Sequence, residues 1–301
     1  MRKLLRHAPV ALALILASLS SSCSVFSGLF VRRVPILRGH NHRPATKEQT
    51  LLVATRDELV ERIAKIYSSI NSFQATIDMA PSVGSVYKGE INEIKDVPAF
   101  ILFRKPADIR IQAQTPLVGT PLLDMVSDGT RFRLYLSSKS LFVEGENSAP
   151  ATSKNRIENL RPAAFLSSML VMPPEPDVEI PVMTDLTDED NALYGLTLVR
   201  KLANGGLRAT RQIWFDRLDL SIVRQMVYDE QVNIVSDTRY GNWEVFGGVS
   251  FPRHIEIQRP VDAYGVVMDI RQMQMNKAIT DDKFVLTRPE GTTLQQIGEQ
   301  K

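Results

Sequence analysis

The sequence predicts a mainly β protein with some α. We expect a single large curved antiparallel sheet, an incomplete β-barrel of about ten or eleven strands, closed by an N-terminal and a mid-chain helix. Three observations carry this expectation. From residue 72 onward hydrophobic residues recur with a period of two, in short runs broken by polar or glycine-containing turns. Only two stretches, one before the runs and one among them, have helical spacing. No shift in composition divides the runs into separate domains. An antiparallel sheet of that size must curl to bury its apolar face, and two helices are too few to cover it flat.

The first helical stretch begins at Thr55, which with Glu58 forms a capping-box pair able to satisfy two orphan amide donors. Leu59, Ile63, Ile66 and Ile70 follow at spacings that place them on one face. The strands then read as FQATIDM (73–79), AFILFRK (99–105), DIRIQAQ (108–114), LLDMVSDG (122–129) and RFRLYLS (131–137). Ile109, Ile111 and Ala113 alternate with polar residues, as do Phe132, Leu134 and Leu136, so each set points to one face. Asp128-Gly129 is a hairpin turn pair. The mid-chain helix lies within IENLRPAAFLSSMLVMP (157–173), with Pro162 near its start and Leu160, Phe165, Met169 and Leu170 near one stripe. Six further strands follow. In the last, Met268 and Ile270 share one phase while Met273 and Met275 share the other, which predicts a bulge near Arg271–Gln272.

The N-terminus is a targeting signal. Arg2, Lys3 and Arg6 precede the apolar run APVALALILASL (8–19), which is shorter than the roughly 20 residues needed to span a bilayer. Three serines then meet Cys23, the only cysteine. Losing those three basic residues with the signal takes the formal charge from +2 to −1, so no basic surface calls for nucleic acid. An ordinary secretory signal with an incidental cysteine is the alternative to lipidation at Cys23. Residues 24–49 have no sustained period and carry Arg32, Arg33, Arg38 and Arg43, as a solvated tether or a headgroup-contacting segment would. The expected division is a signal over 1–22, a lipidated N-terminus and tether over 23–50, and one domain over 51–301.

No enzyme constellation emerges: GxSxG, the P-loop, GxGxxG and HExxH are all missing, and we expect neither catalysis nor a metal or cofactor. His40 and His42 form an HxH pair without further ligands, and His254 lies on a strand beside inward Ile255 and Ile257. Asp185, Asp188, Glu189 and Asp190 read as a solvated turn. Trp214 and Trp243 read as sheet packing. The inward faces are rich in aliphatic residues and methionine, including Met169, Met226 and Met268. Methionine adapts to flexible acyl chains, and it suits a packed core equally well. One segment stands out: TPLVGTP (115–121) sets Leu117 and Val118 in a proline-bracketed turn, where polar residues are usual.

The order of these pieces resembles the LolA/LolB lipoprotein-localisation family, nearest its outer-membrane receptor members. The segments concerned are IRIQAQTPLVGTPLLDMVSDGTRFRLY (109–135), LRPAAFLSSMLVMP (160–173), IWFDRLDLSIVRQMVYDEQVNIVSDTRY (213–240) and FGGVSFPRHIEI (246–257). The resemblance implies a half-open barrel whose apolar cavity holds acyl chains as ligand. Its lining here would be Ile109, Ile111, Phe132, Leu134, Leu136, Phe165, Met169, Met226, Met268 and Ile270. It further implies an anchor at Cys23 in the inner leaflet of the outer membrane, facing the periplasm. Cargo would be lipoproteins or other lipids, a LolA-type carrier would deliver it, and the protein would be a monomer. Leu117 maps onto the protruding loop leucine tied to membrane insertion, with Val118 an added residue beside it. The alternative is a structural or envelope-sensing lipoprotein on the same fold, its cavity filled by its own side chains.

Overall fold

The computed structural model describes residues 50–85, 90–93, 96–116, 118–149 and 160–298. The expected signal, Cys23, the expected tether with its arginines and histidines, and Leu117 lie outside the described residues. Helix α1 (Arg56–Ser69) begins with the anticipated capping box: Thr55 N–H donates to Glu58 Oε2 at 2.7 Å, and Glu58 N–H donates back to Thr55 Oγ1 at 3.3 Å. Leu59 and Ile63 are buried within it, and Ile70 is buried just past its end.

Among the described residues fifteen strands form one sheet that does not close. In chain order they are β1 (Ser72–Ser85), β2 (Glu90–Glu93), β3 (Val97–Arg104), β4 (Asp108–Gln114), β5 (Pro121–Ser127), β6 (Arg131–Leu136), β7 (Leu141–Glu146), β8 (Glu179–Asp185), β9 (Leu193–Lys201), β10 (Leu207–Asp216), β11 (Ile222–Tyr228), β12 (Ile234–Phe246), β13 (Val249–Arg259), β14 (Tyr264–Met275) and β15 (Thr293–Ile297). The spatial order is β15-β7-β6-β5-β4-β3-β1-β14-β13-β12-β11-β10-β9-β8, with β2 paired only to β1. Every pairing is antiparallel except β15 with β7. Helix α2 (Pro162–Met169) sits on the concave side with Pro162 in its first turn, where the missing N–H costs nothing. The described residues therefore form an incomplete barrel with two α-helices.

The bulge anticipated in the last strand lies at Arg271: Thr76 pairs with Gln272 and Ile77 with Ile270, leaving Arg271 unmatched. Asp128 Oδ1 accepts from the amides of Thr130 and Arg131, and Gly129 takes φ +95°, closing the β5–β6 hairpin.

Four strands exceed the sequence count, each for a physical reason. β2 is a short, charged strand on the flank of β1. β8 is an edge strand containing Pro181, tolerated because one side of an edge needs no amide donor. β7 is buried on both faces, so Leu141-Phe142-Val143 show no alternation. Its outer face is covered by the C-terminal segment, whose Phe284 and Leu286 pack with Val126, Tyr135 and Phe142. Arg110 ties that segment down by donating to the carbonyls of Lys283 and Val285, and Arg104 pairs with Asp281 at 2.7 Å. The segment ends in β15, whose polar sequence gives no strand period. Gly145 admits it: a Cβ there would stand 2.6 Å from the Ile297 carbonyl oxygen.

Candidate functional site

The concave face and both helices enclose one continuous apolar interior. Ile109 and Ile111 of β4, Phe132, Leu134 and Leu136 of β6, and Met268 and Ile270 of β14 are all buried in it, facing Phe165 and Met169 of α2. Phe165 stacks with Tyr264 at 6.2 Å between centroids. Arg161, just before α2, lays its guanidinium 4.6 Å from the Phe132 ring, and burial pulls its pKa below the usual range. Met226 stands elsewhere. In β11 Ile222, Val223 and Gln225 are buried, and Met226 shares the outer face with Arg224 and Tyr228, whose hydroxyl lies 3.4 Å from the Met226 sulfur. A register shift between Trp214 and Phe215 changes the phase along β10–β11, which alternation in β11 alone does not reveal.

Among the described residues the packing is interrupted by voids, two of which adjoin each other. One, of about 20 Å³, lies among Tyr67 and Ile70 of α1, Leu170, Tyr240 and Trp243. The other, of about 10 Å³, lies among Ala75, Ile77, Ile101 and Met268. Met169 and Phe251 line both, so these two side chains form the partition between them. Each void has room for about one water. Small-molecule sites usually offer roughly 300–1,000 Å³. The interior as it stands is filled by its own side chains.

Helix α2 is held by polar contacts as well as packing. Tyr240 Oη donates to the Ser168 carbonyl at 2.7 Å and Gln225 Nε2 to the Ser167 carbonyl at 3.2 Å. Past its end, Arg211 donates to the carbonyls of Met172 and Pro173 while pairing with Glu179 at 2.5 Å. Burial disfavours ionised Glu179, but the hydrogen bonds from Arg211 and Thr210 outweigh it and hold the carboxyl below its ordinary range.

Val118 is 81% exposed at the β4–β5 tip. The turn beneath it is firm: Gly119 N–H donates to the Thr115 carbonyl at 3.1 Å, and Thr115 N–H to the Thr120 carbonyl at 2.8 Å. Strand directions place this tip at the end of the sheet that carries the β9–β10, β11–β12 and β13–β14 turns. Both voids lie toward the other end, near the start of β1 and the end of α1. Sequence alone gave no hint of that separation.

The remaining candidates occupy the outer surface, except Trp243, which packs against the core and lines the larger void. His254 sits between Asp269, at 2.7 Å from Nδ1, and Glu256, at 3.4 Å from Nε2. Asp185 pairs with Arg217, and Asp188 accepts from the amides of Asp190 and Asn191. Trp214 lies beneath Arg224, and Trp243 Nε1 donates to the Ile222 carbonyl at 2.9 Å.

An open antiparallel half-barrel with an apolar interior under two helices is thus the class of protein that the fold defines. No protein-family model matches the chain, and no curated protein matches its sequence. Among solved structures the chain is similar to a LolA superfamily protein from Nitrosomonas europaea, at 13% identity and TM-score 0.49, covering 78% of this chain and 99% of that one. It is also similar to a domain described as an outer membrane lipoprotein-sorting protein from Vibrio parahaemolyticus, at 10% identity and TM-score 0.49, covering 76% and 97%. A DUF1329 family protein from Desulfovibrio piger is similar at 16% identity and TM-score 0.47, covering 78% and 98%. At such values the function must be argued from the chain's own residues.

Proposed function

We propose that this protein is an outer-membrane-anchored lipoprotein that binds the acyl chains of lipoproteins or other lipids and helps insert them into the membrane. The observation that carries this reading is the Met169 partition. Met169, an unbranched side chain on an eight-residue helix, forms with Phe251 the partition between two voids whose lining is largely apolar. Methionine changes rotamer at little cost, and moving it with α2 opens the partition on one side of Phe251, joining the voids into a slot for a flexible chain. Each methylene transferred from water contributes about 0.8 kcal/mol, so a chain of about 15 carbons needs continuous shielding between donor and bilayer.

The lipobox-like run before Cys23 supports an anchor in the inner leaflet, and the exposed tip at Val118, with Leu117, supports a second membrane contact. With that tip in the bilayer, the voids face the periplasm, where a LolA-type carrier would deliver cargo. The chain would then pass along the interior toward the membrane end.

The packed state of the interior supports a second reading, a structural or envelope-sensing lipoprotein without cargo. Mass spectrometry of lipid extracted from the purified chain lacking residues 1–23 separates the two. Stoichiometric acyl lipid, lost when Met169→Trp fills both voids, is the expected outcome. Lipid-free protein selects the second reading.

A further inference from the structure

Helix α2 does not rest on a wholly apolar floor. Beneath it β11 and β12 contribute Gln225, Ser236, Thr238 and Tyr240, all buried. Ser168 Oγ meets Ser236 Oγ at 3.1 Å, which in turn meets Thr238 Oγ1 at 3.3 Å. Ser167 and Ser168 lie in the last turn of α2, where carbonyls have no partner within the helix. The sheet supplies their donors, from Gln225 Nε2 and Tyr240 Oη. One atom is left over. Gln225 is 2% exposed, and its Oε1 accepts no hydrogen bond. A buried amide oxygen without a donor is disfavoured, and an apolar residue of similar size would avoid the problem.

We infer that this strip recognises the head of the ligand, and that the ligand is an acyl chain joined through an amide. The inference rests on the acyl-binding reading above. Tyr240 also lines the larger void, so the strip adjoins the space that a chain would enter. When α2 moves aside, Gln225 Nε2 and Tyr240 Oη lose their carbonyl acceptors, and Gln225 Oε1 still lacks a donor. An amide answers both needs: its carbonyl accepts from Nε2 or Oη, and its N–H donates to Oε1. An ester offers the carbonyl but no donor. A free carboxylate brings acceptors only, with a charge that burial opposes. Sites built to hydrogen-bond a particular group reject analogues lacking it more strongly than apolar pockets reject a change of size.

The test compares hexadecanamide with methyl hexadecanoate, equal in chain length and different in head, by titration calorimetry on the full chain. The amide is expected to bind about tenfold more tightly, the effect of one buried hydrogen bond made or missed. Gln225→Leu is expected to bring the ratio near one by weakening the amide alone. Equal affinities in the unaltered protein overturn the amide assignment while acyl binding stands. Binding of neither probe overturns the acyl-binding reading and this inference with it.

Discussion

Tyr240 on β12 reaches across the interior to donate its hydroxyl proton to the Ser168 carbonyl of α2 at 2.7 Å. Both partners are buried, so the bond joins the helix to the sheet where water cannot replace it. Tyr240→Phe removes one donor without changing the packed ring and strands the carbonyl. We expect a loss of about 1–3 kcal/mol in urea unfolding. We also expect faster hydrogen exchange at the Leu170 amide, which closes the last turn on Leu166. An unchanged midpoint together with unchanged exchange would show that packing alone seats the helix.

The Arg211–Glu179 pair spans β9, joining β10 to the edge strand β8, and Arg211 also grips the two carbonyls beyond α2. Arg211→Ala leaves Glu179 buried and unpaired, at an expected cost of about 3–5 kcal/mol. The carboxyl's folded pKa lies below its unfolded value. Its stabilising contribution is therefore present above the unfolded value and is lost as pH falls through the folded one. In Arg211→Ala that acid-side loss is expected to shrink, as measured by unfolding midpoints between pH 7 and pH 3. An acid profile parallel to that of the unaltered protein would remove Glu179 as its source.

His254 behaves in the opposite sense. Hydrogen bonding to Glu256, together with Asp269, raises its pKa to about 9 despite part burial. A raised folded value means that the contribution is full below the unfolded pKa of about 6.5 and fades as pH rises through about 9. His254→Asn is expected to cost on the order of 1 kcal/mol at pH 6, discounted for the exposure of its partners, and nothing near pH 10. Titration of the imidazole by NMR gives the same pKa directly, and a value near 6.5 would cancel the prediction.

Much of the fold was legible because alternation and capping are local. The Thr55–Glu58 box, the Asp128-Gly129 turn and the Arg271 bulge each follow from a few neighbouring residues. Features requiring a distant segment were not legible. β7 loses its alternation because residues more than 130 positions later cover its outer face. Met226 leaves the interior because Val223 is left unmatched where β11 pairs with β10, which reverses the phase of the residues after it. The polar strip was hidden for the same reason: Gln225, Ser236 and Ser167 mean nothing together until β11, β12 and α2 meet. An inward glutamine on an otherwise alternating strand was the one available signal.

β15 depends on Gly145 for its seat. An added Cβ would stand 2.6 Å from the Ile297 carbonyl oxygen and 3.2 Å from Phe132, backbone on one side and a packed ring on the other. Gly145→Ala is therefore expected to release the parallel strand rather than to be absorbed, at a cost of about 1–3 kcal/mol. Hydrogen exchange across 293–297 and proteolytic trimming after residue 286 are the measurements. Full protection of β15 in the variant would mean that the strands separate enough to accept a methyl group.

Val118 offers the cleanest separation of folding from membrane contact. At 81% exposure, with its backbone fixed by the Thr115–Thr120 turn, the side chain contributes little to the folded state. Val118→Glu is expected to shift stability by less than about 0.5 kcal/mol. If the tip enters the bilayer, burying this valine contributes about 1.5 kcal/mol, roughly tenfold in partitioning, and the new carboxylate adds repulsion from anionic lipid. Co-sedimentation of the chain lacking residues 1–23 with phosphatidylglycerol-containing vesicles measures the difference. Val118→Leu is expected to bind at least as well as the unaltered chain. Equal sedimentation of all three would take the β4–β5 tip out of the membrane contact.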